Sequence, residues 1–229
     1  MPTFVRLIDT KRCIGCRTCV AACMVENHYT PGSPWNVLVE KEMGYYPKVR
    51  KFFATMACMH CEAPACKMAC DKVGAYAINR NEHGVVLVDY EKCIGCGYCA
   101  AACPYGVPQL NGEMHPLYPG HSTPYEAIVP SDRHPTHRKR PRVVEKCTSC
   151  WHKLEKAVSR GRTHLVGLEQ DYTPACDVVC PVQARFFGDL DDPDSEVAKR
   201  IRTSGATQLK KEFGTRPLVY YVLEGGDSR

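Results

Sequence analysis

Sixteen cysteines fall into four groups of four, with none left over. Group one is Cys13, Cys16, Cys19 and Cys23, and group two is Cys58, Cys61, Cys66 and Cys70. Group three is Cys93, Cys96, Cys99 and Cys103, and group four is Cys147, Cys150, Cys176 and Cys180. Groups one and three share the spacing C-x2-C-x2-C-x3-C and almost the same words, RCIGCRTCVAAC at 12–23 and KCIGCGYCAAAC at 92–103. Group two reads C-x2-C-x4-C-x3-C, and group four carries 25 residues where group two has four. The two echo each other through Pro64-Ala65-Cys66 and Pro174-Ala175-Cys176. The six Phe and two Trp in 229 residues add little bulk. Its interior is expected to be organised around the cysteines.

Three chemistries use cysteine at this density. A disulfide framework suits a small secreted chain, but MPTFVRLIDTKRC has neither an apolar signal region nor a twin-arginine leader. Tetrahedral zinc is usually held by two separated CxxC pairs, which only Cys147/Cys150 and its partners approach. A dithiol exchange site would leave cysteines outside the quartets, and there are none. The C-x2-C-x2-C-x3-C run is that of bacterial two-cluster ferredoxins. Three thiolates within seven residues wrap one corner of a cubane, and the fourth points to the neighbouring cluster. Gly15, Gly95 and Gly97 fit loops whose amides come close to cluster sulfurs. Pro104 and Pro181 follow the last cysteine of groups three and four, where groups one and two have Met24 and Asp71. That departure removes no ligand. The expectation is four [4Fe–4S] clusters.

The formal charge of +5 counts every cysteine as neutral. Sixteen thiolates would take it to −11, and four cluster cores of +2 would return it to −3. The basic sequence is therefore a poor guide to partners, and no nucleic-acid recognition fold accompanies its basic run. No run of 18 apolar residues is present, so no direct membrane span is expected. The default location is cytoplasmic.

Residues 58–108 read as a compact two-cluster ferredoxin-like unit, with VGAYAI (73–78), a turn at NRNEHG (79–84) and a strand in VVLVDY (85–90). The crossed-ligand rule assigns one cluster to Cys58, Cys61, Cys66 and Cys103, and its neighbour to Cys93, Cys96, Cys99 and Cys70. Groups one and four then form the second pair. Cys13, Cys16 and Cys19 take Cys180, while Cys147, Cys150 and Cys176 take Cys23. FVRLID (4–9) corresponds to VVLVD (85–89), and ARFF (184–187) to the AYAI segment. The expected fold is α+β: a duplicated two-cluster ferredoxin-like fold, one copy split around the other, with long irregular loops. Residues 1–57 and 147–190 are the two parts of the split copy. Residues 109–146 are an irregular basic insertion, and 191–229 a C-terminal extension.

Between the cysteine groups, VLVEKE and KVRKFF have strand character, and KVRKFF is placed near the group-two cluster. Trp35, Tyr45 and Tyr46 read as structural padding. Arg138, Lys139, Arg140 and Arg142, beside His134 and His137, form a basic run in 133–142, expected to be solvated or to compensate cluster charge. His115, His121 and His134 match no metal-ligand spacing and stay unassigned. WHKLEKAVSR (151–160) is a helix candidate that places Trp151, Leu154 and Val158 on one side and Gly161 at its stop, with Trp151 against the group-four cluster. SEVAKRIR is a second helix candidate, and Leu218 to Leu223 a strand.

Five phrases carry a resemblance: IDTKRCIGCRTCVAAC, CMHCEAPACKMAC, VDYEKCIGCGYCAAACPYGV, VEKCTSCWHKLEKA and PACDVVCPVQARFFGDLDDPDSEV. Together the chain resembles the four-cluster iron–sulfur subunit of molybdopterin oxidoreductases of the dimethyl sulfoxide reductase superfamily, such as the small subunits of polysulfide, thiosulfate, tetrathionate and respiratory arsenate reductases. The resemblance implies a non-catalytic electron relay bound to a large subunit that carries the molybdopterin cofactor, with molybdenum or tungsten. A membrane quinone-reactive subunit or a soluble donor would stand at the other end of the relay. It also implies a second possible address, periplasmic or on the outer membrane face, by co-export with a leader-bearing partner. A free-standing soluble polyferredoxin is the competing reading.

Overall fold

The computed structural model describes residues 1–30, 32–112, 120–121 and 132–223. Its central strand is β1, Phe4–Asp9, buried along almost its whole length. Burial on both faces requires apolar side chains on both sides of the pleat, and FVRLID supplies them with a single charge, Arg6. Val5 and Leu7 pack against Val197 and Leu218 on one side, where each buried aliphatic side chain contributes about 2 kcal/mol. Phe4 and Ile8 face two other apolar clusters on the opposite side. Arg6 shares that second face by the two-residue alternation, which turns it toward the cysteines.

β1 lies between two partners. It pairs antiparallel with β8, Arg185–Asp189, and parallel with β10, Val219–Val222. β9, Thr207–Gln208, completes the sheet in the order β8-β1-β10-β9. The C-terminal strand is thus built into the core beside β1. A second antiparallel pair, β4 (Ile78–Arg80) and β5 (Val86–Val88), packs Ile78, Val86 and Val88 on Cys66, Cys70, Cys93 and Cys99. Its turn is closed by Asn81, whose side-chain oxygen accepts from the His83 and Val85 amides at 3.1 and 2.8 Å.

Short helices start at the cysteine loops. α1 (Thr18–Asn27) and α3 (Tyr98–Ala102) begin inside groups one and three, while α2 (Ala65–Lys72) and α5 (Ala175–Val178) start after Pro64 and Pro174. The repeated Pro-Ala-Cys is therefore a helix start that delivers a cysteine in the first turn. α1 packs on α5 as α2 packs on α3. α4, Trp151–Ser159, buries Leu154 and Ala157 against Phe4, Val85 and Phe187, and Ser195 caps α6 (Glu196–Thr203) by accepting from the Ala198 amide. The Trp151 ring stacks on His83 with centroids 5.8 Å apart. It belongs to this apolar cluster, not to one around group four.

β2 (Val37–Met43) and β3 (Arg50–Met56) form a projecting hairpin. Trp35 at its base is fully buried, but Tyr45 and Tyr46 at its tip are 91% and 93% exposed and pad nothing. The tip extends past any neighbour that could cover two rings. KVRKFF also lies elsewhere than expected: Phe53 covers the group-one loop, so close that a Cβ on Gly15 would stand 2.6 Å from its ring. β6 (Gln109–Leu110) and β7 (Val144–Glu145) close the base of the long insertion, where Asn111 bonds both ways with Val143. His115 lies outside the described residues.

Gly95 and Gly97 both have positive φ, +70° and +73°. A Cβ on Gly97 meets open space, whereas one on Gly95 would stand 2.1 Å from the Arg142 carbonyl oxygen. Gly97→Ala is expected to cost about 1 kcal/mol from conformation alone. Gly95→Ala should cost clearly more, because two backbone segments must separate; thermal unfolding of the two variants compares them directly.

Candidate metal centres

The fold collects the cysteines into four quartets, each drawn from two cysteine groups. Cys58, Cys61, Cys66 and Cys103 line one small cavity. Cys70, Cys93, Cys96 and Cys99 line a second. Cys13, Cys16, Cys19 and Cys180 line a third. Cys23, Cys147, Cys150 and Cys176 form the fourth quartet, where Asn27 Nδ2 donates to Cys23 Sγ and Cys150 Sγ, both at 3.6 Å. The other three cysteines are also the leading charges acting on the Cys23 thiol. All sixteen are free of disulfides.

The local backbone aims donors at these sulfurs. Ala77 N–H donates to Cys70 Sγ at 3.3 Å, Val144 N–H to Cys93 Sγ at 3.5 Å, and His60 N–H to Cys58 Sγ at 3.5 Å. Ser149 N–H reaches Cys147 Sγ at 3.3 Å, and Ala184 N–H reaches Cys180 Sγ at 3.2 Å. Amide donors of this kind stabilise thiolate charge and tune cluster potential. Among the described residues, no three His, Cys, Asp or Glu side chains converge on the position of a single metal ion. Four soft sulfur donors set around a cavity, and not around a point, fit a polynuclear iron–sulfur core better than zinc.

Burial makes several of the thiols poor acids in the absence of metal. It pushes Cys61 and Cys99 up to about 11 and Cys66 up to about 12, with neighbouring cysteines adding to the effect. Cys23 and Cys150 are raised as well, by burial first and by neighbouring cysteines. An iron core would supply the positive charge that turns these thiols into thiolates, so its binding displaces protons.

Charged side chains form a second layer that the cysteine spacing gives no hint of. Arg6 Nη2 bonds Asp177 Oδ2 at 2.8 Å, and Arg185 Nε bonds Asp177 Oδ1 at 2.9 Å. Burial opposes the Arg185 charge, but Cys176 and Asp177 outweigh it and raise its pKa further above the ordinary arginine value. Burial likewise opposes ionisation of Asp177, and Arg6 and Arg185 overcome it. Lys146, fully buried, lines the Cys58 cavity and donates to the Cys147 carbonyl at 3.2 Å and to that of Val86. Only the position of Asn27, one helical turn after Cys23, could have marked any of these residues in advance.

The basic run divides. Lys139 is buried, donates to the Asn27 carbonyl at 3.1 Å and stands 3.4 Å from Glu145. Burial pulls its pKa down to about 8 against the attraction of Glu145. Arg140 clamps the group-three loop through the Tyr90 and Cys93 carbonyls at 3.0 and 2.7 Å. Arg138 is exposed, and its Nε donates to the Arg133 carbonyl at 2.8 Å. His134 pairs with Glu155 at 2.8 Å, and His137 Nε2 faces Asn27 Oδ1 at 3.3 Å.

Comparison with known proteins agrees with this chemistry. The 4Fe-4S dicluster domain family matches residues 12–76, 49–117 and 85–153. A selenate reductase subunit of Mesobacillus selenatarsenatis is 35% identical over 226 residues, covering 96% of this chain and 71% of the relative. A sulfite dehydrogenase subunit of Allochromatium vinosum is 33% identical, covering 97% and 83%. The arsenate respiratory reductase iron–sulfur subunit of a Shewanella species is 33% identical and matched over 96% of both chains. The chain belongs to the iron–sulfur subunits of the molybdopterin oxidoreductases of the dimethyl sulfoxide reductase superfamily. As such a subunit it carries several [4Fe–4S] clusters on tandem dicluster domains of α+β, ferredoxin-like class. It transfers electrons and is not itself the catalyst.

The quartets of this iron–sulfur subunit adjoin in one order. α1 against α5 joins the Cys13 and Cys23 quartets, and α2 against α3 joins the Cys58 and Cys93 quartets. Cys23, Cys58 and Cys147 share one apolar cluster, so the second and third quartets touch. At the two ends, Cys16 and Cys96 are exposed. Ile14 and Ile94 beside them are exposed as well.

Proposed function

We propose that this chain relays single electrons along a line of four [4Fe–4S] clusters, to or from a separate molybdopterin-containing catalytic chain. The observation that carries the reading is the unbroken adjacency of four cysteine quartets with an exposed cysteine at each end. The clusters, in order, are held by Cys13, Cys16, Cys19 and Cys180; by Cys147, Cys150, Cys176 and Cys23; by Cys58, Cys61, Cys66 and Cys103; and by Cys93, Cys96, Cys99 and Cys70. When bound, each cluster supplies a site that takes up and releases one electron. The protein's own part is to hold the thiolates, direct amides at sulfur and exclude water from the two inner sites.

The line is built from a duplicated ferredoxin-like unit, one copy split around the other. What supports this is the position of the strands. β5 enters group three and β4 leaves group two, and the two pair antiparallel. β1 enters group one and β8 leaves group four, and they pair antiparallel as well. α1 against α5 repeats α2 against α3.

The relatives named for selenate, sulfite and arsenate favour an oxyanion of a sulfur-, selenium- or arsenic-type element as substrate of the whole complex. No helix among the described residues is long and apolar enough to cross a membrane. A quinone-reactive chain or a soluble donor would stand at one exposed end of the line.

Cys23→Ser is expected to alter the same EPR component as Cys150→Ser and to leave the component altered by Cys16→Ser intact. A shared change with Cys16→Ser instead would remove the crossed assignment. The native chain, purified anaerobically, should bring with it a larger chain containing molybdenum or tungsten. A stable monomer that exchanges electrons with several small carriers would favour a free-standing polyferredoxin.

A further inference from the structure

Backbone amides donate to the sulfurs of Cys58, Cys70, Cys93, Cys147 and Cys180, and neutral Asn27 and Thr18 serve Cys23, Cys150 and Cys16. Among the described residues, Cys176 is the one sulfur that accepts from charged side chains. Arg185 Nη2 donates to it at 3.3 Å and Arg6 Nη2 at 3.7 Å. Both arginines and Asp177 between them are buried to within 2%. Two guanidinium groups and one carboxylate leave a net charge of +1 in a region closed to water, where charge is weakly screened.

The guanidinium of Arg185 has no freedom to turn away. Its Nε bonds Asp177, its Nη1 bonds Thr55 Oγ1, and its Nη2 bonds Cys176. The same side chain lines the cavity of Cys13, Cys16, Cys19 and Cys180. One fixed cation therefore stands at the junction of two quartets. The far end is different: among the described residues, no Lys or Arg side chain donates to Cys70, Cys93, Cys96 or Cys99 sulfur, and Arg140 reaches the Tyr90 and Cys93 carbonyls, not a sulfur.

A simple brace between β1, α5 and β8 would not need this charge. Buried ion pairs are commonly no more stabilising than apolar side chains of the same volume. A neutral pair of one arginine with Asp177 would also tie two elements together. The second arginine makes the assembly cationic.

We propose that Arg185, held in place by Asp177 and Arg6, is a positioning residue that raises the reduction potentials of two neighbouring clusters at once, those of Cys176 and Cys19. The proposal rests on the cluster assignment given above. Reduction adds one negative charge to a cluster, and a fixed cation beside its sulfur favours the reduced form. Electrons in transit are thereby biased toward the group-one and group-four half of the line, relative to the Cys93 end.

The test is an EPR-monitored redox titration of the cluster-loaded chain, in its complex if it purifies as one. Arg185→Gln should lower the potentials of the clusters at Cys176 and Cys19, by about tenfold in the reduction equilibrium, or about 59 mV for one electron. Asp177→Asn keeps an acceptor for both arginines but removes the offsetting charge, so it should raise them. Arg185→Lys should stay closer to the native value than Arg185→Gln. Shifts of opposite sign are the signature of charge, since a merely structural role moves both variants the same way. Unmoved potentials, or shifts of the same sign in fully loaded protein, overturn the proposal. Should Arg185→Gln fail to retain its clusters, Asp177→Asn decides alone: a rise supports the proposal and its absence overturns it. Iron content of the same samples separates the two failures, because a native chain short of iron removes the four-cluster reading, whereas a loaded chain with unmoved potentials removes only this one.

Discussion

Each cysteine quartet takes three cysteines from one stretch of chain and the fourth from another, and the rest of the architecture follows from that crossing. Cys180 reaches the loop of Cys13, Cys16 and Cys19 only because β8 lies beside β1. Cys23 reaches Cys147, Cys150 and Cys176 only because α1 packs on α5. The sheet, the helix pairs and the position of the C-terminal strand β10 all serve to bring distant cysteines together. A chain with few Phe and Trp is closed in this way by its ligating side chains. Eleven of the sixteen cysteines are buried, so removing what they hold would leave the centre of the molecule without its main contacts.

Burial sets the second requirement. Thiolates in a region closed to water need positive charge and donors nearby, and the fold provides both at graded strength. Amides from β7 and loop segments serve single sulfurs, while Lys146 stands between the Cys58 cavity and Cys147. The segment from Val143 to Cys147 meets three quartets in succession: Val144 donates to Cys93, Lys146 lines the Cys58 cavity, and Cys147 belongs to the next. Glu145, fully buried on the opposite side of this segment, accepts from Trp35 at 3.1 Å and Asn111 at 2.8 Å and ties the base of the long insertion to the hairpin. A two-residue strand therefore organises the centre of the line.

Much of this was legible in the sequence, and for identifiable reasons. Cysteine spacing is a local property, so all sixteen candidates could be read from it, and short apolar runs marked the strands at 4–9, 86–88 and 219–222, whereas the strand at 78–80 takes in Asn79 and Arg80, which read as turn. Ser195 and Gly161 punctuate two helices in the manner that capping chemistry predicts. What could not be read depends on distant parts of the chain meeting. Arg6, Asp177 and Arg185 come from β1, α5 and β8, and none stands out in its own segment. Lys139 and Arg140 look like a solvated basic run until the fold places one against Glu145 and the other on the group-three loop. Tyr45 and Tyr46 have core-like chemistry, but the hairpin carries them into solvent.

The central claim is that all four quartets hold [4Fe–4S] clusters and so form one continuous electron path. Quantitative iron and acid-labile sulfide analysis of the anaerobically purified chain addresses it most directly. The account predicts about sixteen of each per chain. About eight of each, or zinc in place of iron at any quartet, would break the line and contradict it.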